Sequence, residues 1–152
     1  ATNTTVNSNA SARAIHAHAP QARVQSQACP LLVPLVEEGW LEHDVTRLTV
    51  REYLKPILAD DADTLVLGCT HYPLLKPLLR EEAPRLALVD SAITTAAHTA
   101  QALTAAGLLR QNQSGDSAHY RYCVSDIPLR FRAIGERFLG RSIDDLETVR
   151  LG

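Results

Sequence analysis

One short segment constrains this chain more than any other: Thr64-Leu65-Val66-Leu67-Gly68. It is continuously apolar between Asp63 and Gly68, short for a helix, and bounded like a strand. A run of that kind reads as a parallel strand covered on both faces, and neighbouring parallel strands need helical crossovers. The flanks supply them. Asp44 can cap a helix in which Val45, Leu48, Tyr53, Leu54, Ile57 and Leu58 form an imperfect apolar face. A second helix follows from about Pro73 to Glu82, then a second buried strand, Leu86-Ala87-Leu88-Val89. Asp90 and Ser91 can cap an Ala-rich helix that ends near Gly107. Strands alternating with helices predict an α/β fold with a largely parallel sheet flanked by helices.

The remaining segments fit that frame. Residues 8–18 read as a helix with Asn7 or Ser8 as N-cap and Pro20 closing it. Residues 22–27 read as a short strand, and Leu31 to Glu38 as a short helix ended by Gly39. Residues 110–117, with Ser114, Gly115 and Asp116, read as a loop. Tyr120 to Val124 alternates like a strand, 128–139 is helical, and Thr148 to Leu151 reads as a strand stub.

Composition narrows the function classes. The 152 residues are 45% hydrophobic and 21% charged, as in a folded globular protein rather than a disordered one. A net charge of −2 argues against a nucleic-acid partner and against a polybasic membrane anchor. No apolar run is long enough to span a bilayer, and the polar first residues do not read as a signal peptide. Three cysteines, an odd and small number, fit a reduced, cytoplasmic protein better than a disulfide scaffold. There is no methionine, so the chain reads as one entered partway along a longer sequence.

In an open α/β sheet, sites form beyond the carboxyl ends of strands. Gly68-Cys69-Thr70-His71-Tyr72-Pro73 occupies such a place. Gly68 lets the backbone turn, and Cys69 emerges at the mouth of the sheet near a helix N-terminus, a setting that favours thiolate. His71 can exchange protons with that thiol or with a substrate. The competing description is a buried strand-end cysteine beside a surface histidine. Glu37 and Glu38 are adjacent carboxylates after an apolar run; one can point into a cleft and orient a histidine, or both can sit on a solvated helix end. Cys29 reads as a small packed hydrophobe. Thr2-Asn3-Thr4-Thr5-Val6-Asn7-Ser8 leads into a helix, where hydroxyls can either hold a carboxylate or simply cap. No metal site is expected: C-x-H at 69–71 is not a zinc spacing and no C-x-x-C occurs. No phosphate-binding loop, dinucleotide glycine fingerprint or H-E-x-x-H motif is present. The triplets at Asn3 and Asn112 match the glycosylation pattern, which carries no meaning in an intracellular chain.

Leu67-Gly68-Cys69-Thr70-His71-Tyr72-Pro73-Leu74-Leu75 resembles a signature of the aspartate/glutamate racemase superfamily. Ala28-Cys29-Pro30-Leu31-Leu32-Val33-Pro34-Leu35-Val36-Glu37, Val89-Asp90-Ser91 and Arg137-Phe138-Leu139-Gly140-Arg141 narrow the resemblance to glutamate racemase, over essentially the whole chain. The resemblance implies two similar α/β lobes with the site between them, no cofactor, and one cysteine from each lobe facing opposite sides of the substrate α-carbon. It implies that Cys69 is the second lobe's catalytic cysteine, that His71 assists it, and that Glu37 is the associated carboxylate. It implies substrate binding by Thr70, Thr2 and Thr5. The implied ligand is L- or D-glutamate, for peptidoglycan, with room for a homodimer of the full-length protein.

The departures are informative. The family's Asp-Ser-Gly segment and its Cys-Asn-Thr segment, which carries the other catalytic cysteine, do not occur here. Cys29 and Cys123 have the wrong neighbours to replace it. Ala1 stands where the family usually has Gly, Ser11 where it has Tyr, and Ala92 where it has Gly. Residues 1–90 are therefore expected to form most of the second lobe, lacking its opening strand, and 91–152 to return to an absent first lobe. Such a chain alone is expected to be inactive and to self-associate through unpartnered apolar surface. The competing functions are another superfamily racemase acting on aspartate or a related acid, and a non-catalytic carboxylate-binding α/β domain. A zinc-binding structural domain is a more distant competitor.

Overall fold

The computed structural model describes residues 1–110 and 119–150. Most of the expected loop, with Ser114, Gly115 and Asp116, the Asn112 triplet, and Leu151 at the end of the expected strand stub lie outside the described residues. The chain divides into two compact units, Ala1–Ala102 and Leu103–Gly152.

In the first unit, helices α1 (Asn3–Ser8) and α2 (Ala10–His18) precede α3 (Leu32–Glu37) and α4 (Asp44–Ala59). Strand β1 (Thr64–Leu67), a 3-10 turn at Tyr72–Leu75, α5 (Lys76–Glu82) and β2 (Ala87–Asp90) follow, leading into α6 (Ser91–Ala105). The two strands pair in parallel, with Thr64 opposite Ala87 and Leu67 opposite Asp90, as a strand–helix–strand crossover requires. The α/β class with parallel pairing is as the sequence predicts.

The core lies on one face of this pair. Leu75, Val36 and Val50 are essentially inaccessible, and Leu32, Leu54, Leu67, Leu78 and Leu79 surround them. These residues come from α3, α4, β1, the 3-10 turn and α5, so the short apolar elements share a single layer. An ion cluster joins two of the helices from outside: Glu82 of α5, with its side chain only 9% exposed, accepts from Arg47 at 2.6 Å and from Arg51 at 2.6 and 3.1 Å, both on α4. Its carboxyl is held below the ordinary range by those hydrogen bonds, Arg51 contributing most.

Several local expectations are corrected. β1 is covered on one face only: Val66 is 48% exposed and its partner Val89 40%. The layer of α3, α4 and α5 takes up Leu67, while no described element covers the other side of the pair; α6 buries none of its residues. The helix expected at 8–18 begins earlier and is broken. Thr2 caps α1, and Asn9 adopts a left-handed conformation (φ 53°) between α1 and α2, which asparagine tolerates better than most residues. His43, not Asp44, caps α4, its Nδ1 accepting from the Val45 amide at 3.1 Å while its ring stacks on Trp40. Residues 22–27 form no strand. A cavity of about 440 Å3 separates them from the unpaired edge of β1, so they have no ladder partner there. They are tied at both ends instead: the Ala22 amide donates to Ala19 O at 3.0 Å and Arg23 pairs with Asp60, while at the far end the Ala1 nitrogen donates to Gln27 O at 2.9 Å and the Cys29 amide to Ala1 O at 2.8 Å.

In the second unit, β3 (Tyr122–Val124) pairs in parallel with β4 (Leu146–Thr148), and α7 (Pro128–Leu139) lies between them in sequence. Ile143 is buried, and its Cδ1 would sit 2.7 Å from a Cβ at Gly135, so glycine permits the contact with α7. Gly140 ends α7 at φ 64°. Among the described residues, no helix is long and apolar enough to cross a membrane.

Candidate functional site

The carboxyl end of β1 is where the chemistry-bearing side chains meet. After Leu67 the chain turns at Gly68. A Cβ there would lie 3.3 Å from the Ala1 side chain, so the small residue lets the segment beginning at Ala1 approach the strand end. Cys69, Thr70 and His71 then form a turn closed by the Tyr72 amide donating to Cys69 O at 3.3 Å. The 3-10 turn that follows buries Tyr72 and Leu75, which fixes the loop against the core.

Within this turn the Cys69 thiol lies 3.9 Å from His71 Nδ1, and the Thr70 hydroxyl 3.4 Å from the same nitrogen. On the other side of the ring, His71 Nε2 is 3.1 Å from Glu37 Oε1. The histidine and glutamate side chains are each about a quarter exposed (23% and 24%), open enough to meet a ligand yet partly shielded from water. Glu37 is the last residue of α3, and of the two adjacent carboxylates it is the one in contact with His71.

The arrangement has a definite proton logic. An ionised Glu37 can only accept, so Nε2 supplies the hydrogen, and the neutral ring then presents Nδ1 as an acceptor toward Cys69 and Thr70. If the ring takes the thiol proton, the resulting imidazolium is balanced by Glu37. This set can therefore hold a thiolate ready to receive a proton, with a carboxylate steadying the histidine.

The two threonines form a separate pair. Thr2 Oγ1 accepts from the Thr5 amide at 3.3 Å and lies 2.9 Å from Thr5 Oγ1, so helix capping is realised there. The contact between Ala1 and Gly68 brings this pair to the same end of β1. The structure thus joins Cys69, Thr70, His71 and Glu37 in one chain of contacts and sets Thr2 and Thr5 beside the strand that carries it.

Cys29 lies elsewhere, packed in the core with its thiol 3.6 Å from Gln27 O; burial pushes that thiol up. Cys123 is exposed in the second unit. Among the described residues, no group of three or more His, Cys, Asp or Glu is arranged to hold a metal ion.

Sequence reasoning missed one ion pair at this end of the sheet. Asp90, opposite Leu67, pairs with Lys76 at the start of α5, and its other oxygen accepts from the Ile93 amide at 3.0 Å. Lys76 first, and then the Ile93 amide, hold the Asp90 carboxyl below its ordinary range. An acidic residue at a strand's carboxyl end, just before a helix, is the available signal; alone it points to a cap, which Asp90 also provides.

No protein-family model matches the sequence. Individual proteins do match. The chain is 68% identical over 152 residues to a glutamate racemase of Neisseria meningitidis serogroup B, covering 100% of this chain and 56% of that protein. It is 60% identical over 151 residues to one from Syntrophus aciditrophicus, covering 99% of this chain and 55% of that protein. Among solved structures it resembles glutamate racemase from Francisella tularensis in complex with D-glutamate, at 36% identity and a TM-score of 0.88, covering 99% of this chain and 56% of that one. A Bacillus anthracis glutamate racemase gives a TM-score of 0.86 at 32% identity, covering 97% and 54%. The chain spans a little over half the length of the curated relatives it matches.

Proposed function

We propose that this chain, a member of the glutamate racemase family along its whole length, carries one half of an acid/base site that interconverts L- and D-glutamate. The observation that carries the reading is the contact chain Cys69–His71–Glu37 at the carboxyl end of a parallel strand.

In this reading the Cys69 thiolate takes the α-proton of L-glutamate: the C–H bond breaks, an S–H bond forms, and the electron pair stays on the substrate. A thiol of the other lobe, outside this chain, gives a proton to the opposite face. Glu37 keeps His71 positioned and balances its charge as the thiol proton comes and goes. An amino-acid α-proton is weakly acidic, so fixed donors must meet the growing negative charge on the substrate. Thr70 and the Thr2–Thr5 pair supply hydroxyls for its carboxylates. No cofactor enters the scheme.

Residues 1–90 are assigned to most of the second lobe, and 91–152 to a segment that packs on the first. The cavity beside β1 supports this. It leaves room along that edge for one more strand, and Ala1 is already hydrogen-bonded between Gln27 and Cys29 at its end. The product D-glutamate would serve peptidoglycan synthesis in the cytoplasm, and the full-length protein has room to form a homodimer.

The test is turnover of L-glutamate and L-aspartate, measured separately as formation of the D-isomer by the full-length gene product. Glutamate is racemised and aspartate is not. Cys69→Ala lowers kcat by about 10²- to 10⁴-fold, the usual scale for removing a positioned proton-transfer group. Faster turnover of aspartate, or full activity in the alanine variant, overturns the reading.

A further inference from the structure

Six side chains of the site come from three separate stretches of chain. Cys69, Thr70 and His71 lie on the turn after β1, Thr2 and Thr5 begin α1, and Glu37 ends α3. Nothing in the sequence links these stretches, yet a racemising site needs them in register. Their common point is the hydroxyl of Tyr72.

Tyr72 immediately follows the turn, and its amide closes it on Cys69 O. Its ring is buried in the core at 4% exposure. Its hydroxyl lies 3.0 Å from Cys29 O, on the segment that leads into α3, and 3.2 Å from Ala1 O, the carbonyl preceding Thr2. The two carbonyls are themselves adjacent, because the Cys29 amide donates to Ala1 O. One phenol therefore spans the base-bearing turn, the hydroxyl pair and the approach to the carboxylate helix. Burial pushes this phenol above its ordinary range, and the nearby Cys29 and Cys69 thiols add to the shift, so it stays a donor at any pH where the protein works.

We propose that Tyr72 is a positioning residue for the reaction: its hydroxyl fixes the distance between the Cys69–His71 turn and the Thr2–Thr5 substrate anchor. This rests on the racemase reading above. Each half of the site is internally held, the turn by its own backbone bond and the threonines by their own cap. Losing the hydroxyl leaves both halves formed but no longer registers one against the other. Small misplacement of a reacting group lowers the rate of proton transfer far more than it weakens ground-state binding.

The experiment is steady-state kinetics on the full-length gene product with Tyr72→Phe, which keeps the ring and removes only the oxygen. The expected result is a kcat lowered by about 10- to 100-fold with KM within about threefold of the unmodified protein. Leu54→Ala, a core truncation on α4 that touches none of the three stretches' hydrogen bonds, serves as the stability control. It lowers Tm at least as much as Tyr72→Phe, yet keeps its kcat below its own unfolding temperature. Overturning results are a Tyr72→Phe protein with kcat unchanged and only Tm lowered, or a Leu54→Ala protein with the same kcat loss. If the unmodified protein racemises no glutamate, the racemase reading fails first and the positioning role falls with it. Activity in the unmodified protein with no kcat effect in Tyr72→Phe removes the positioning role alone.

Discussion

Glu37 and Glu38 are chemically alike and adjacent, and the sequence left either free to face the site. The backbone separates them. Successive helical residues point about 100° apart, so the last turn of α3 can aim only one at His71, and that one is Glu37. Glu37→Gln keeps an acceptor for Nε2 but removes the charge that balances a protonated ring, so kcat falls about 10²-fold while Glu38→Gln stays near the unmodified rate; side-by-side turnover of the two variants checks this. Cys69 and His71 were legible because a strand end and a two-residue spacing already place them together. Lys76 and Asp90 were not, since their pairing depends on the parallel register that sets Asp90 opposite Leu67. Tyr72 stands inside a recognisable motif, but the reach of its hydroxyl to the Ala1 and Cys29 carbonyls is visible only in three dimensions.

At the scale of elements, α3, β1, β2 and α7 lie close to where periodicity and flanking residues put them, because each carries a strong local signal. The failures are at joints. Asn9 breaks one expected helix into two, and His43 replaces Asp44 as a cap. A histidine ring nitrogen reaching a helix amide is not a composition rule. Residues 22–27 have strand character but no neighbour to form a ladder with, and strand pairing is a long-range property. The charged joint between α4 and α5 sets an acid limit. Glu82 and Asp90 have carboxyls held below their ordinary range in the folded state, Glu82 by Arg51 and Arg47 and Asp90 by Lys76 and the Ile93 amide. Both therefore bind fewer protons folded than unfolded. Their stabilisation is complete above the ordinary carboxylate range and is lost as pH falls through the depressed folded values. Thermal unfolding followed against pH shows Tm dropping on that limb, and Glu82→Gln flattens it; an unchanged slope in the variant contradicts the assignment. Cys29, raised by burial, acts at the other end, its contribution fading as pH rises above the ordinary thiol range.

At the scale of the molecule, the chain is two compact units, each with apolar surface facing outward. In the first, Val66 and Val89 stand exposed on one sheet face. In the second, Leu129 is 80% exposed and Ile143 is the single buried side chain among the described residues. Apolar surfaces of this kind are suited to taking a partner surface, and the relatives the chain matches are nearly twice as long. The architecture class was readable from alternating strand and helix patterns. The one-sided sheet was not, because a continuously apolar strand looks the same whether or not its second face is covered. The most direct test of the whole account is proton NMR of α-hydrogen exchange in D2O with L-glutamate, run on the full-length gene product and on these 152 residues alone. The account predicts α-deuteration and racemisation by the full-length protein and no D-isomer from the isolated chain, because a single base can return a proton only to the face it came from. A folded full-length protein that leaves the α-hydrogen in place would contradict it.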